Sequence, residues 1–423
     1  MADQVIAIEN VDRGLGRRAA LLGAGGLAAA AVAGPAHAQA EPIRVGFLTV
    51  KTGPLAAGGI QTEQGLLLLM KERNNTFAGR AVQLFVADTG GTPANARTKT
   101  QELVERNNVS VIIGPVAAFE LLAIEEYMRD KQIPWLGVAA AEDVTQRRTN
   151  PWFVRANSSS AQCTHVLADY AAKDLKYKRM ATIGDDFAFG QEQNAGFQRV
   201  FEDAGGKIVQ KLWPPLNATD YGTFVAQLKP DLDGIFMSFA GSNGFRFFKA
   251  YKEYGGTIPI LGGMTAVDEA TLQQMGDDAI GMVSTNYYSA QIDTPENKAF
   301  VAAMQRDYKV DPGYYAAGAY ISGQVLENAV KSVGGKIEDK AAFIKALRTE
   351  TTATVRGPVT FDQYGNVVGN VYIRKVEKKG GRLVNTVIKT YPNISQFWTY
   401  DPAEFLKQPV YGRDSPPARN LEK

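Results

Sequence analysis

Cysteine and histidine are the scarcest reactive groups in this chain of 423 residues, which has one Cys and two His. A single cysteine excludes an intramolecular disulfide framework and any zinc site built from several cysteines. Two histidines leave little material for acid–base or metal chemistry centred on that residue. An excess of positive charge is also lacking, since 46 Lys and Arg stand against 44 Asp and Glu, and this argues against a nucleic-acid-binding protein. These absences disfavour many classes of enzyme.

Motifs that hold nucleotides or activate nucleophiles are absent as well. The turn after the first predicted strand, residues 49–54 (TVKTGP), lacks the glycine spacing of a dinucleotide-binding loop. The chain has no phosphate-binding P-loop, no G-x-S-x-G elbow and no H-E-x-x-H motif. His165 and Cys163 lie on one predicted helix, where we expect a structural or surface imidazole and a packed thiol. The sequence therefore predicts no enzyme, no cofactor and no metal site.

The first segment has the pattern of an export signal. Arg17 and Arg18 precede an uncharged stretch, residues 19–36, made mainly of Ala, Gly, Leu and Val, and residues 36–38 read Ala-His-Ala. Small residues at these positions are what a signal peptidase requires, so we predict a signal peptide over residues 1–38 that is cleaved after Ala38. A membrane anchor is the alternative, but this stretch is marginal in length and apolarity for a span. The paired arginines resemble a twin-arginine signal, and Sec export stays open.

After Pro42, short β-rich runs alternate with helical segments, a pattern that predicts parallel α/β sheets. One series of such units ends near Arg155, and a second begins near Ala161. A strongly helical block follows over residues 295–333, and the chain beyond residue 358 reads as antiparallel hairpins with Gly-rich turns. We therefore predict two Rossmann-like lobes with more than one chain crossing between them. The Pro- and charge-rich tail is expected to be loosely held.

Loops at the predicted carboxyl ends of the strands carry the candidate binding site. Ligands of open α/β sheets bind outside these ends, where helix N-termini present unpaired N–H groups. Small residues let a ligand approach the backbone, and phenylalanines provide flat apolar walls. Well-packed turns are the alternative interpretation. The loops read GPVAAF at 114–119, GVAAA at 137–141, DDFAFG at 185–190, SFAGSN at 238–243 and GGMT at 262–265.

The order of several motifs resembles the periplasmic solute-binding proteins of ABC importers, of the branched-chain amino-acid type. The resemblance covers residues 41–400 and rests on residues 43–46, 52–54, 111–115, 153–157, 186–190, 233–236 and 356–362. It implies an α/β fold of the type I periplasmic binding proteins, in which two lobes are joined by three hinge crossings and close around a ligand in the cleft. The implied divisions are a first lobe of 41–158 and 288–357, a second lobe of 159–287 and 358–400, and a tail of 401–423.

Members of that family that bind amino acids hold the charged groups with hydroxyls and a carboxylate, and this chain differs at the matching positions. It has Ala118, Ala140 and Met264 there, and Phe189 where tyrosine is common. A buried ammonium group without a carboxylate partner is costly, which argues against a zwitterionic amino acid. The sequence resembles instead the branch of the family that takes up aromatic carboxylates such as benzoate and phenylpropanoid derivatives.

This resemblance implies a set of ligand-binding residues that combines aromatic rings with small side chains. Phe119, Phe189 and Phe239 would flank the aromatic ring, and Tyr287 would close over it. The full set comprises Ala118, Phe119, Ala139, Ala140, Phe189, Phe239, Ala240, Gly241, Met264 and Tyr287.

Two sources of partners for the carboxylate stay open. Backbone N–H groups near Ala118, Ala140 and Gly241 are the first source. Arg155 is the second, although a structural ion pair beside the hinge is an equal alternative for it. Polar anchors are expected from the side chains at residues 242–243, a Ser and an Asn.

The expected function is that of a monomeric periplasmic receptor, which delivers a small carboxylate to an ABC permease in the inner membrane. We expect no nucleic-acid partner and no membrane anchoring after signal cleavage. A receptor for a branched-chain amino acid or an amide is one alternative, and a sensory binding protein that feeds a membrane receptor is another. A secreted enzyme is disfavoured because no nucleophile–base set is present.

Overall fold

The structure, a computed structural model, describes residues 40–422. The predicted signal peptide, residues 1–38, lies outside these residues. The strands are β1 Ile43–Thr49, β2 Thr76–Phe77, β3 Arg80–Asp88, β4 Val111–Ile113, β5 Trp135–Gly137, β6 Phe153–Arg155, β7 Arg179–Gly184, β8 Lys207–Leu212, β9 Gly234–Ser238, β10 Ile260–Gly262, β11 Val283–Asn286, β12 Thr360–Phe361, β13 Val367–Lys379 and β14 Arg382–Ile394. The helices are α1 Ala56–Glu72, α2 Pro93–Gln101, α3 Ala118–Lys131, α4 Gln162–Lys173, α5 Ala188–Asp203, α6 Gly222–Val225, α7 Asn243–Glu253, α8 Leu272–Met275, α9 Pro295–Tyr308, α10 Tyr314–Ser332, α11 Lys340–Thr349 and α12 Pro402–Lys407.

The first lobe is built on a six-stranded sheet with the order β2-β3-β1-β4-β5-β6. Its central strands run parallel, and Val45 and Phe47 of β1 are fully buried, as expected for strands covered on both faces. Helices α1 and α10 pack closely against each other because Gly65 has no side chain. A Cβ at that position would collide with the carbonyl group of Ala316.

The second lobe is built on an eight-stranded sheet with the order β12-β13-β11-β10-β9-β7-β8, and β14 pairs with β13. Strands β7 to β11 are parallel, whereas β13 is antiparallel to both β11 and β14. The turn between β13 and β14 contains Gly380 and Gly381, which have φ values of 56° and 79°. Such left-handed conformations favour glycine, and they confirm the predicted hairpin.

The chain passes between the lobes three times, as predicted. The passages lie between β6 and α4, between β11 and α9, and between α11 and β12. Helices α9 to α11 therefore return to the first lobe, where α10 packs on α1, before the hairpins complete the second sheet. Two parallel-dominated sheets joined in this way confirm the predicted α/β fold of a type I periplasmic binding protein. No helix within residues 40–422 is long and apolar enough to cross a membrane.

Three arginines with almost fully buried side chains lie at the passages: Arg155, Arg356 and Arg374. Each uses its guanidinium to hold backbone or amide groups of another segment. Arg374 Nη1 donates to the carbonyl oxygen of Tyr288 at 3.1 Å, and Arg356 Nη2 donates to that of Asn370 at 2.7 Å. Because the planar guanidinium carries five donors, one side chain can tie several chain segments together.

The expectation of a loosely held tail is wrong. Phe405 and Tyr411 are buried, and they pack with Phe397 against the second lobe. The Tyr411 hydroxyl lies 3.2 Å from Nε2 of His165, whose pKa burial lowers to about 3, so the imidazole stays neutral. Two aromatic anchors hold a segment whose overall composition is polar. We call residues 401–422 the C-terminal tail.

The tail also contacts the first lobe through Arg147. Its guanidinium donates to the carbonyl oxygens of Gln408 at 2.7 Å, and of Phe405 and Pro409 at 3.1 Å. Farther along, Arg413 pairs with Asp186 of the second lobe at 3.0 Å. The tail therefore spans both lobes.

We predict that Arg147→Met lowers the free energy of unfolding by about 1 kcal/mol, because partly hydrated carbonyl groups lose a charged donor while the apolar stem is kept. Urea unfolding measures the loss, and hydrogen exchange should increase at residues 405–409. Unchanged exchange there would show that the aromatic anchors hold the tail without Arg147.

Candidate functional site

The loops at the carboxyl ends of the strands enclose a cavity between the two lobes. In this closed form its free volume is about 20 Å³, which is about enough for one water molecule. A larger ligand therefore requires the walls to move apart as it binds. Its lining comes from both lobes and comprises Leu55, Val116, Ala117, Ala118, Ala140, Phe187, Phe189, Ala240, Thr265, Tyr314 and Tyr315.

One wall of the cavity is aromatic. The rings of Phe187 and Phe189 stack with their centroids 6.2 Å apart, and the ring of Phe119 meets Phe187 edge-on at 5.5 Å. The polar side chains of the lining are those of Thr265, Tyr314 and Tyr315, and none of the described lining residues is charged. The walls of the cavity are therefore suited in chemistry to a flat apolar group.

Two helices begin at the cavity, α3 from the first lobe and α5 from the second. Ala117 and Phe187, the residues that precede them, both line the cavity and have extended backbones, and neither has a side chain that caps the helix. The N–H groups of a first helical turn have no acceptor within the helix, and the helix dipole gives that end a partial positive charge. Two such ends give this part of the cavity a positive electrostatic potential.

Buried carboxyl groups lie behind both helix starts. Glu120 accepts hydrogen bonds from the Ala117 N–H at 3.2 Å and from the Thr89 hydroxyl, and burial raises its pKa to about 7. Asp185 accepts from the Ala240 N–H at 2.8 Å, and burial raises its pKa to about 7 as well. Near neutral pH each group is therefore partly protonated, which reduces the negative charge beside the cavity.

The lobes touch directly across the cavity, so the cleft is closed. The N–H of Ser242 in the second lobe donates to the Pro54 carbonyl oxygen of the first lobe at 3.1 Å. The N–H of Gly241 donates to the Tyr315 hydroxyl at 3.2 Å. Asp268 also bridges the lobes, because its Oδ2 accepts from the N–H at the start of α10 at 2.6 Å.

Four of the residues expected at the site line the cavity: Ala118, Ala140, Phe189 and Ala240. Gly241 adjoins the cavity, and its N–H is held by Tyr315. The other expected residues lie behind the wall. Phe119 touches the cavity residue Phe187, and Ala139 is buried beside Ala140.

The three remaining expected residues are fully buried and do not line the cavity. The Phe239 ring packs with Phe247 at 5.1 Å in the core of the second lobe. The Met264 N–H donates to the Gln193 side chain at 3.0 Å. Tyr287 donates its hydroxyl to the backbone carbonyl of residue 314.

Arg155 and the side chains of residues 242–243 are occupied by other groups. Arg155 Nη1 donates to the Thr145 hydroxyl at 2.7 Å and to Asn366 Oδ1 at 3.0 Å, and burial lowers its pKa to about 10. Asn243 donates to Asp185 at 2.8 Å. The structure therefore gives Arg155 a structural role at the hinge.

Several lining residues were not predicted. Val116, Ala117, Phe187 and Thr265 lie in the strand-end loops but were not singled out within them. Leu55 and the tyrosines at 314–315 lie outside those loops. The tyrosines begin α10 directly after the interruption Asp-Pro-Gly at 311–313, and this helix start was the signal that could have placed them at the cleft.

A closed cleft between two α/β lobes, with a small cavity inside, is the arrangement of a solute-binding receptor. The model of the periplasmic binding protein family matches residues 42–382, and the chain belongs to that family. A Leu/Ile/Val-binding protein homolog 6 from Brucella abortus is 26% identical over 364 residues, which cover 84% of this chain and 93% of that protein.

Solved structures with similar folds include receptors crystallised with aromatic acids. A solute-binding protein of an ABC transporter from Rhodopseudomonas palustris BisB5, in complex with 3,4-dihydroxybenzoic acid, is 30% identical with a TM-score of 0.80. It matches 84% of this chain and 98% of its own. A second R. palustris solute-binding protein, in complex with benzoate, is 25% identical with a TM-score of 0.79 and the same coverage of 84% and 98%.

Proposed function

We propose that this periplasmic binding protein is the substrate-binding component of an ABC importer for a small aromatic carboxylate of the benzoate type. The observation that carries the proposal is the cavity itself, which combines apolar aromatic walls with two converging helix N-termini and no charged lining side chain among the described residues. In this site the ring lies against Phe187 and Phe189, and first-turn N–H groups of α3 and α5 bind the carboxylate.

Charge balance favours a simple carboxylate over an amino acid. The helix starts provide partial positive charge, whereas the described lining offers no carboxylate to an ammonium group. Burying an unpaired ammonium would cost several kcal/mol, roughly. The similar receptors solved with benzoate and with 3,4-dihydroxybenzoic acid support the same class of ligand.

A branched-chain amino acid is the second candidate, because the Brucella abortus relative is a Leu/Ile/Val-binding protein homolog. The hydroxyl groups of Thr265, Tyr314 and Tyr315 are the polar lining groups available to such a ligand. A sensory receptor would use the same cavity but pass its signal to a membrane protein.

The route of the protein to its place of action follows from the same proposal. The signal peptide of residues 1–38 directs export, and cleavage after Ala38 releases a receptor into the periplasm. There it acts as a monomer and passes its ligand to a permease in the inner membrane. The protein binds its ligand and does not transform it.

A thermal-shift panel of benzoate, 3,4-dihydroxybenzoate, leucine, valine and acetamide tests the ligand class. A ligand at 100 times its dissociation constant stabilises a protein by about 2.7 kcal/mol, which is a clear shift. We expect the two benzoates to stabilise the protein. Stabilisation by leucine alone would contradict the proposal and favour the second candidate.

We predict that Phe189→Leu weakens benzoate binding by about 5- to 10-fold, equal to about 1 kcal/mol, because the flat aromatic wall is lost. Phe239→Leu is the matched control, because its ring lies in the core of the second lobe and not at the cavity. Isothermal titration should show that the control binds benzoate with an affinity within about twofold of that of the unaltered protein. Equal losses of affinity in both variants would show that the aromatic ring of the ligand does not bind against Phe189.

A further inference from the structure

Two buried glutamates lie in one contact between the lobes and are close in sequence to residues that line the cavity. Glu142 follows the lining residue Ala140 by two positions in the first lobe, and Glu192 follows the lining residue Phe189 by three positions on α5. Both side chains are buried, with exposed fractions of 0% and 3%. Each carboxyl thus belongs to a different lobe but lies in the same closed contact.

The contact between them joins the two lobes. The backbone N–H of Glu142 lies 3.3 Å from both carboxylate oxygens of Glu192. The Glu142 carboxylate in turn accepts from the Ala161 N–H at 2.6 Å and from the Gln146 amide. Because α5 moves with the second lobe, opening the cleft separates Glu192 from the Glu142 segment.

The surroundings hold too little positive charge for two ionised carboxylates. Arg155 faces the pair from β6, but its hydrogen bonds go to Thr145, Asn366 and backbone carbonyls, and within residues 40–422 it forms no ion pair with either carboxylate. Its charge is also shared with Asp362, which follows β12.

No other cation within residues 40–422 forms an ion pair with either carboxylate, and the Arg199 guanidinium of α5 donates to the Tyr411 hydroxyl at 3.4 Å instead. Tyr411 of the tail faces Glu142, and burial raises the pKa of this phenol, so that it stays neutral. His165 of α4 contacts Tyr411 and is neutral as well. On the segment of Glu142 itself, Asp143 and Arg147 pair with each other at 3.4 Å.

Burial is the main cause that raises the pKa of both carboxyl groups, and the proximity of Glu142 raises that of Glu192 further. Like charges in a dry site share a proton instead of ionising together. Opening of the cleft would let water reach Glu192 and lower its pKa toward the ordinary range of a glutamic acid.

We propose that Glu142 and Glu192 form a proton-holding contact between the lobes, which couples closure of the cleft to the uptake of one proton. The proposal rests on the proposed function, because closure is what traps the ligand. The closed form holds a proton that the open form releases, so affinity is highest at acidic pH. It falls as pH rises through the pKa of the closed pair, by at most about tenfold per pH unit.

Isothermal titration with benzoate from about pH 5.5 to about pH 8 tests the coupling, because benzoate stays ionised over this range. For the unaltered protein we expect the dissociation constant to rise at least about fivefold across the range. In Glu192→Gln the amide replaces the protonated carboxyl and still accepts from the Glu142 N–H. This variant should bind more tightly than the unaltered protein at high pH and keep only the pH dependence that the carboxyl groups beside the cavity, Glu120 and Asp185, contribute.

Glu125→Gln is the control, because this carboxyl is also buried but pairs with Arg129 and Arg148 within the first lobe. The control should keep the pH dependence of benzoate binding. If Glu192 has only a structural role, Glu192→Gln should bind benzoate more weakly by the same factor at every pH. A pH dependence in Glu192→Gln as steep as that of the unaltered protein would overturn the proposal.

A measurement without ligand separates this proposal from the proposed function. The radius of gyration from small-angle scattering should increase with pH in the unaltered protein and increase less in Glu192→Gln, where only the second buried carboxyl between the lobes, Asp268, still titrates. If benzoate fails to bind at every pH but this difference is found, the ligand class is wrong and the proton coupling stands. If benzoate binds but both proteins respond alike to pH in both measurements, the coupling is wrong and the proposed function stands.

Discussion

Gly241→Ala is expected to weaken benzoate binding by more than about 100-fold, equal to at least about 2.8 kcal/mol. Gly241 has a φ of +56°, and a Cβ at this position would lie within 3.0 Å of the Pro54 carbonyl group. Since Gly241 belongs to the second lobe and Pro54 to the first, the added methyl group collides only when the cleft is closed. The variant should therefore fold normally but fail to close on its ligand.

The backbone strain of this substitution is small and can be measured separately. Alanine in the left-handed region costs about 1–2 kcal/mol, whatever its neighbours. Gly334→Ala is the matched control, because Gly334 has a φ of +60° and nothing within 4 Å of an added Cβ. The Gly334→Ala variant should be less stable by about 1–2 kcal/mol and should bind benzoate with unchanged affinity. If Gly241→Ala binds benzoate with unchanged affinity in isothermal titration, the close contact between Gly241 and Pro54 in the closed cleft would be contradicted.

Arg356→Met is expected to lower the free energy of unfolding by about 3 kcal/mol. Its guanidinium donates to the carbonyl oxygens of Asn157, of Ala156 at 3.4 Å and of Asn370 at 2.7 Å, and all of these contacts are buried or partly buried. Each carbonyl left without a donor costs about 1–3 kcal/mol. Removing a buried charge offsets part of this loss, but methionine cannot replace three donors.

Urea unfolding measures this change, and Arg306→Met provides the comparison. The Arg306 side chain is 63% exposed and pairs with Asp307 at 2.7 Å. Such a surface pair contributes at most about 1 kcal/mol. An Arg356→Met protein as stable as the Arg306→Met protein would mean that water replaces the guanidinium at the hinge.

Much of the fold could be predicted because the period of apolar residues reports directly on local structure. The alternation of strand and helix, the helical block before residue 333 and the Gly-rich turns of the last hairpins all carry local signals. The prediction of a loosely held tail was wrong for a related reason. Its average composition is polar, but the burial of Phe405 and Tyr411 and the contacts of Arg147 and Arg413 hold it in place.

The candidate site was only partly predictable, because a loop can be located before its side chains can be oriented. Adjacent residues of an extended segment point to opposite sides, so Ala240 faces the cavity while Phe239 packs into the core. On the first turn of α3, Ala118 lines the cavity and Phe119 lies behind it. Tyr315 reaches the site from a distant part of the chain, and only the tertiary fold brings it there.

The three passages between lobes also determine the order in which the molecule can form. Neither lobe is a continuous stretch of chain, since the first lacks α9 to α11 until residue 349 is synthesised, and the second lacks its hairpins and tail until residue 422. Contacts between segments so far apart in sequence form slowly. Until those segments are present, the apolar faces that they cover are exposed, which makes the incomplete chain prone to aggregation. A truncation within the tail should accordingly act on the yield of folded protein before it acts on any ligand contact.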